Sequence, residues 1–430
     1  MDPLFVGPSD NRKAWAAALR DRDDNLLMQL SQQEPPGVVA FEIATYINGI
    51  YRMARQMNLE PQMVMGEVGR ARACFDVVRI LTGWRQREID LGLMRWIRRA
   101  SALTVVIGAG VTMAAGGPSW PALVRRLLLI ALEKGHERTR MVPTPESTVE
   151  HRELKRQVIG VDHFAPEADR EARAALAAID AGAADTEVLM RGAQLCYDLF
   201  GQHLFTHLTG ILYENERQPS DIHRAIATLA HPMEVPDRGA GLFPGWDAVI
   251  SYNFDDLMGE ALDAEGLPRV AWAMRGEEIA GDPNEQTRKA NSGSPYQSIY
   301  HLHGYTPRRL FHITEVRYVF STSQYAQVYP QRNGIIDHTY YSYLANPVHH
   351  ALYVGCSFDD EAMNNLLRDA ALRFPGRPHY ALLHWPGAMA YSESPLDEID
   401  SAGARYREIG VEPVWFDDFN EIPGMIRSLA

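Results

Sequence analysis

Four short stretches carry the residue types that could serve one chemical site. In "TVVIGAGVTMAAGGPSW" (104–120) a β-branched apolar run ends in Gly108-Ala109-Gly110, the way a buried parallel strand hands over to a phosphate-cradling turn. In "ISYNFDDLMGEAL" (250–262) Asn253 and Asp255 follow another apolar run. Both suit capping of the amphipathic helix that comes next, and Asn253, directly after the strand, also stands where side chains face a ligand crevice. In "YHLHGY" (300–305) His303 precedes Gly304, which admits close approach of a ligand or another chain segment. A histidine at a strand end is more often a structural hydrogen-bonding group than a catalyst; the glycine tips the balance towards chemistry, with His301 as the rival. The fourth stretch, "YVGCSFDDEAMNNLL" (353–367), sets Gly355 and Ser357 at a further strand end.

Taken alone, the first glycine turn is weak evidence. The dinucleotide fingerprint G-x-G-x-x-G requires glycine at 113, where Met113 stands, and a ligand-free strand-to-helix turn would look the same. The glycines continue at Gly116 and Gly117 and close in Pro118-Ser119-Trp120, so the turn is longer than the ordinary one. His349 and His350 precede a strand and fall on the wrong side of a sheet for this site. No third ligand at a recognisable spacing accompanies His301 and His303, so no metal site is expected.

The elements that must position these groups alternate along the chain. Strands are predicted at 103–107, 247–252, 269–273, 298–302, 351–355, 379–384 and 411–416, with helices or loops between them. That order predicts an α/β fold: a Rossmann-like parallel sheet with helices on both faces. Residues 12–99 have helical periodicity broken at Pro35-Pro36-Gly37, which gives an amino-terminal helical extension over 1–99. Its methionines, and those of "QMVMGEVGRARACFDVVRIL", suit core packing better than a binding surface. Residues of about 145–240, polar and alanine-rich, form a helical insertion within a nucleotide-binding domain over 100–430. "ANSGSPYQS" is a short loop.

Composition narrows the setting. A formal charge of −13, from 42 basic and 55 acidic side chains, argues against direct binding of nucleic acid through its phosphates. Cys74, Cys196 and Cys356 are scattered with no C-x-x-C pair, which excludes a disulfide framework or a cysteine zinc module and fits a reducing cytoplasm. The start "MDPLFVGPSDNRKAW" has no secretory pattern, and no apolar run is long enough to span a membrane.

In this order and spacing the four stretches together resemble the sirtuin-like NAD-consuming fold, and within it the bacterial branch used in anti-phage defence. The resemblance covers about 100–425. It implies that Gly108, Ala109, Gly110 and Thr112 hold the pyrophosphate of NAD, with Trp120 closing the same turn, and that Gly355 and Ser357 close on the phosphates and the adenine-side ribose. It implies that Asn253 contacts the nicotinamide ribose and positions water, that His303 is the general base, and that Asp255 is a further ligand-contacting residue. The chain departs from deacylating sirtuins: Gly117-Pro118-Ser119-Trp120-Pro121 replaces their Ile-Pro-Asp-Phe-Arg, Tyr252 replaces the glutamine before the catalytic asparagine, and the four-cysteine zinc module is missing.

The reaction implied is hydrolysis of NAD to nicotinamide and ADP-ribose, in an effector that depletes NAD on infection. The leaving group is a cationic pyridinium that departs neutral, so a positioned water suffices and a neutral imidazole suits the proton transfer. A protein deacylase, a non-catalytic NAD or ADP-ribose sensor, and a nicotinamide-dependent oxidoreductase are the other readings. The chain is expected to end at Ala430 without a sensor domain. That leads to the expectation of a homo-oligomer gated by a separately encoded partner, such as a HerA-type ATPase or a short Argonaute, with the amino-terminal helices and the insertion as contact surfaces.

Overall fold

Leu103–Ile107 buries all five of its side chains, as a strand covered on both faces must, and this strand, β1, forms the middle of the fold. A computed structural model describes residues 7–57, 59, 61–64, 66–71, 73, 86–99, 103–140, 166–200, 204–234, 242–243, 245–275, 278–281, 297–308, 318–329 and 334–430. Cys74, half of the stretch 62–81, the start of the expected insertion and most of the loop 290–298 lie outside the described residues.

The remaining strands are β2 (Met233–Glu234), β3 (Leu242–Phe243), β4 (Ala248–Ser251), β5 (Arg269–Arg275), β6 (Glu278–Gly281), β7 (Gln297–His301), β8 (His350–Val354), β9 (His379–His384) and β10 (Val411–Phe416). β2 and β3 pair only with each other. The other eight form one sheet in the order β10-β9-β8-β1-β4-β7-β5-β6. The seven strands read from the sequence run parallel, so the Rossmann-like α/β expectation holds. β6 was not foreseen: it pairs antiparallel with β5 at the sheet edge, a step that needs only a short connection, whereas each parallel step needs a crossover.

Alternation along the strands feeds two cores. Val106, Ile250, Tyr300 and Tyr353 point to one face, under the helices Ile335–Thr339, Glu361–Arg373 and Leu396–Arg407. Val105, Ile107, Val249, Ile299, Leu352 and Val354 point to the other, under Asp221–Leu229, Leu257–Ala264 and Ile422–Arg427. The helices Trp120–Arg140, Pro166–Asp180, Thr186–Phe200 and Leu204–Leu212 build a third core that takes in Phe254, Leu257, Tyr318 and Phe320 from around the strand ends.

At the amino-terminal end, Arg12–Asp21, Asp24–Gln33 and Pro36–Gln56 form a helical layer with its own core. Pro35 and Pro36 do divide the helices there, and Pro36 opens the third at its first position, where a missing N–H costs nothing. Tyr51 ties the layer to the body: its ring meets Phe374 edge-on at 5.5 Å, and its hydroxyl donates to the Pro375 carbonyl. The helix Gln86–Arg99 joins both, with Ile89 and Leu93 in the layer and Met94 under the sheet. No helix among the described residues is long and apolar enough to cross a membrane.

Candidate active site

From β1 the chain builds outward through β4, β5 and β7, then returns past β1 to lay β8 against its other edge. The crevice of such a sheet opens at the carboxyl ends of the strands where that reversal occurs, here β1, β4 and β8. The four stretches singled out in the sequence end there or on β7.

The turn after β1 interlocks with the turn after β8. Gly108 N donates to Val354 O at 3.0 Å and Gly110 N to Gly355 O at 2.9 Å. A Cβ on Gly108 would lie 2.6 Å from Gly355 O, and one on Gly110 would lie 2.8 Å from Gly355 Cα. Gly355 itself has φ of +68°, open to glycine at little cost, and its Cβ would meet Val111 N at 2.6 Å. Both turns therefore require glycine for reasons of backbone contact. Ala109, the first residue of the helix Ala109–Ala114, is exposed. Its N–H donates to no backbone or side-chain acceptor among the described residues.

Asn253 is not a helix cap. Its Nδ2 donates to Gly108 O at 2.9 Å across the β1–β4 junction, and this bond orients the amide so that Oδ1 remains available. The N-cap position falls to Asp256, which makes no side-chain capping bond, and Asp255 supports the helix start from one residue earlier, its Oδ1 accepting from Leu257 N at 3.1 Å. Its Oδ2 accepts from Thr112 Oγ1 at 2.5 Å. Burial raises the pKa of this carboxyl, and these hydrogen bonds hold it back down. Thr112 is thus buried and committed to Asp255, leaving backbone groups of its turn to face a ligand.

His303 lies just past β7, only 9% exposed. Its Nε2 is 2.9 Å from the Tyr329 hydroxyl, 3.2 Å from that of Tyr325 and 3.8 Å from Asp360 Oδ2. Tyr325 donates onward to Asp360 Oδ2 at 3.1 Å, while Asp360 Oδ1 caps the helix Glu361–Arg373 through Ala362 N and Met363 N. The rings of Tyr325 and Tyr329 stack at 5.3 Å, and Tyr252 meets the imidazole edge-on at 5.0 Å. Burial lowers the His303 pKa and Asp360 opposes it, so the ring is neutral near pH 7. His301, the rival, is enclosed: its Nδ1 lies 3.2 Å from Asn253 O, and burial pushes its pKa down to about 4.

The structure brings Gly108, Ala109, Gly110, Asn253, His303, Gly355 and Ser357 to adjoining strand ends, with Ser357 exposed. Thr112 and Asp255 sit beneath them as a buried pair. Trp120 does not join them: it opens the helix Trp120–Arg140 and packs edge-on against Phe320 at 5.1 Å, in the insertion core. Sequence reasoning missed Tyr325, Tyr329 and Asp360. The two tyrosines are four apart in "STSQYAQVYP", which marks one helical face, but nothing local says that this face meets His303. Phe358 adopts φ of +61°, rare for a bulky side chain, in the turn that delivers Asp360. A groove of about 400 Å³, lined by Arg126, Thr206, His207, Gly210 and Glu214, lies between the helices Trp120–Arg140 and Leu204–Leu212 and includes none of these residues.

Residues 247–406, which span β4 to the helix Leu396–Arg407, match the family model described as SIR2-like domain. No curated protein matches the chain. The matched region holds Asn253, His303, Gly355 and Ser357 but begins after the glycine turn of β1, which the fold supplies at the same crevice. By that match residues 247–406, which supply β4 to β9, are similar to a SIR2-like domain.

Proposed function

We propose that the protein is an NAD glycohydrolase, cleaving NAD with water to nicotinamide and ADP-ribose. The observation that carries this reading is a buried, neutral His303 beside the crevice of a sheet whose segment 247–406 is similar to a SIR2-like domain, with no hydrogen bond at Nδ1 among the described residues. The surroundings fit a dinucleotide: among the described residues the Ala109 N–H beside the two glycine turns has no acceptor, and Tyr252, whose ring meets His303, has a buried hydroxyl without a partner.

The bond to be broken already has a cationic leaving group that departs neutral, so these residues have only to position and move protons. His303 accepts a proton from a ribose hydroxyl, or through it from the attacking water, and releases it to solvent after cleavage. Asn253 Oδ1 accepts from that water and holds it without adding charge, its Nδ2 being fixed on Gly108 O. Incubation of purified protein with NAD alone, following nicotinamide and ADP-ribose, tests the reading. His303→Ala is expected to lower turnover by ~10²–10⁴-fold while leaving the fold intact. Near-normal turnover in this variant would discard the mechanism. Nicotinamide release only with an acylated peptide would favour a deacylase, and binding without release a sensor.

The same reading extends to control. A chain of this chemistry would deplete its own cell if left active. We place it as a self-associating effector of anti-phage defence, answering to a separately encoded partner such as a HerA-type ATPase or a short Argonaute. The acidic balance of the chain assigns any grip on nucleic acid to that partner.

A further inference from the structure

We propose that Asp360 and Tyr325 are positioning residues for His303, forming a hydrogen-bonded relay that fixes its proton on Nε2 and leaves Nδ1 as the working base. The proposal rests on the hydrolase reading for its catalytic consequence but not for its geometry. Tyr325 has one hydroxyl proton, and it goes to Asp360 Oδ2 at 3.1 Å. Towards His303 Nε2, 3.2 Å away, that oxygen can therefore offer only a lone pair, so this contact is a hydrogen bond only when Nε2 carries the hydrogen. In that arrangement the Tyr329 hydroxyl, 2.9 Å from Nε2, accepts the same N–H. Nδ1 is then unprotonated and engages no other group, which is the state a general base requires.

The relay also accounts for charge. When Nδ1 takes a proton the ring becomes a buried cation, a costly state without a counter-charge. Asp360 supplies one 3.8 Å from Nε2, and its side chain remains 23% exposed, so its own charge stays partly solvated. The groups facing the imidazole are Tyr252, Tyr325, Tyr329 and Asp360, and burial keeps all three phenols neutral. Asp360 is thus the one anion among them, and it acts directly and through Tyr325.

Two conservative variants separate this role from a structural one. Asp360→Asn keeps the helix cap through Oδ1, removes the charge and puts an N–H donor where the Tyr325 proton had its acceptor. Tyr325→Phe keeps the stack on Tyr329 and removes only the hydroxyl. The first measurement needs no substrate: nitrogen chemical shifts of ¹⁵N-histidine-labelled protein, with His303 assigned by its loss in His303→Gln. The expected result is a hydrogen on Nε2 and a free Nδ1 in the wild type, with the His303 pKa lowered further in Asp360→Asn. A hydrogen on Nδ1, or an unchanged pKa in Asp360→Asn, overturns the relay whatever the protein's activity. The second measurement is the pH profile of NAD cleavage. Asp360→Asn is expected to lower kcat by ~10-fold or more and to move the acid limb to lower pH, because activity needs neutral His303. A fall in kcat with the acid limb unmoved overturns the relay. A wild type that shows the expected shifts but no cleavage would instead overturn the hydrolase reading.

Discussion

The side-chain amide of Asn253 spans two strands that meet only through tertiary folding, so its deletion has two separable effects. Asn253→Ala removes one of two donors to the buried Gly108 carbonyl, which keeps Val111 N, a loss of about 0.5–1.5 kcal/mol, and removes the Oδ1 assigned to water. The expected outcome is a lower melting temperature together with loss of NAD cleavage per folded molecule, read by thermal melting alongside the assay. Full activity in the folded fraction would reduce Asn253 to a brace between β1 and β4. The position of Asn253 was legible because it directly follows an apolar strand, but the capping assignment was not. Asn253 and Asp255 both suit a cap by type, and only the path of the chain puts Asp256 at the N-cap, with Asp255 reaching Leu257 N from just before it. Tyr325 and Tyr329 illustrate the opposite limit. Their helix, Thr322–Val328, was too short to carry a periodic signal, and their partner lies more than 20 residues away.

The strands were readable because a parallel strand buried on both faces appears as a near-continuous apolar run, as in VVI of β1 and ALYV of β8. β6 was not, since an edge strand of four residues, "EIAG", has neither length nor alternation to announce it. The glycine turns were read as ligand contacts; the structure adds that their small size is already demanded by each other's backbone. Among the helices, the amino-terminal layer leaves Met53, Met57 and Met63 exposed by 57%, 60% and 70%, so not all its methionines fill a core. If this layer is a contact surface, light scattering after size-exclusion chromatography should give a mass that is a multiple of 48.3 kDa. Lysine at Met53 and Met57 together should lower that mass. A wild-type monomer at micromolar concentration would rule out self-association.

Across the molecule as a whole, burial stores a common sensitivity to acid. His223, His301 and His350 sit in different parts of the fold, and burial pushes their pKa values from 6.5 down to about 3, about 4 and about 3. Folded, they stay neutral; unfolded, each takes a proton below pH 6.5. Their contribution is therefore complete above that pH and is lost as pH falls from 6.5 towards 3–4. Each costs about 1.4 kcal/mol per pH unit across that window, so the three together remove on the order of 4 kcal/mol by pH 5.5, a large part of an ordinary domain's 5–15 kcal/mol. Urea unfolding midpoints should fall accordingly between pH 7.5 and 5.5; equal midpoints would show that these rings are solvated. Finally, the bond from Asn253 to Gly108 joins residues 145 apart, and the glycine of β8 that locks the same turn lies farther along still. Contacts so distant form slowly and late. During synthesis, a chain emerging from the ribosome exposes β1 and its turn long before it has made Asn253, His303 or Gly355. Every partial product lacks the crevice, so the nascent chain is chemically silent until nearly all of the sheet has been translated and paired.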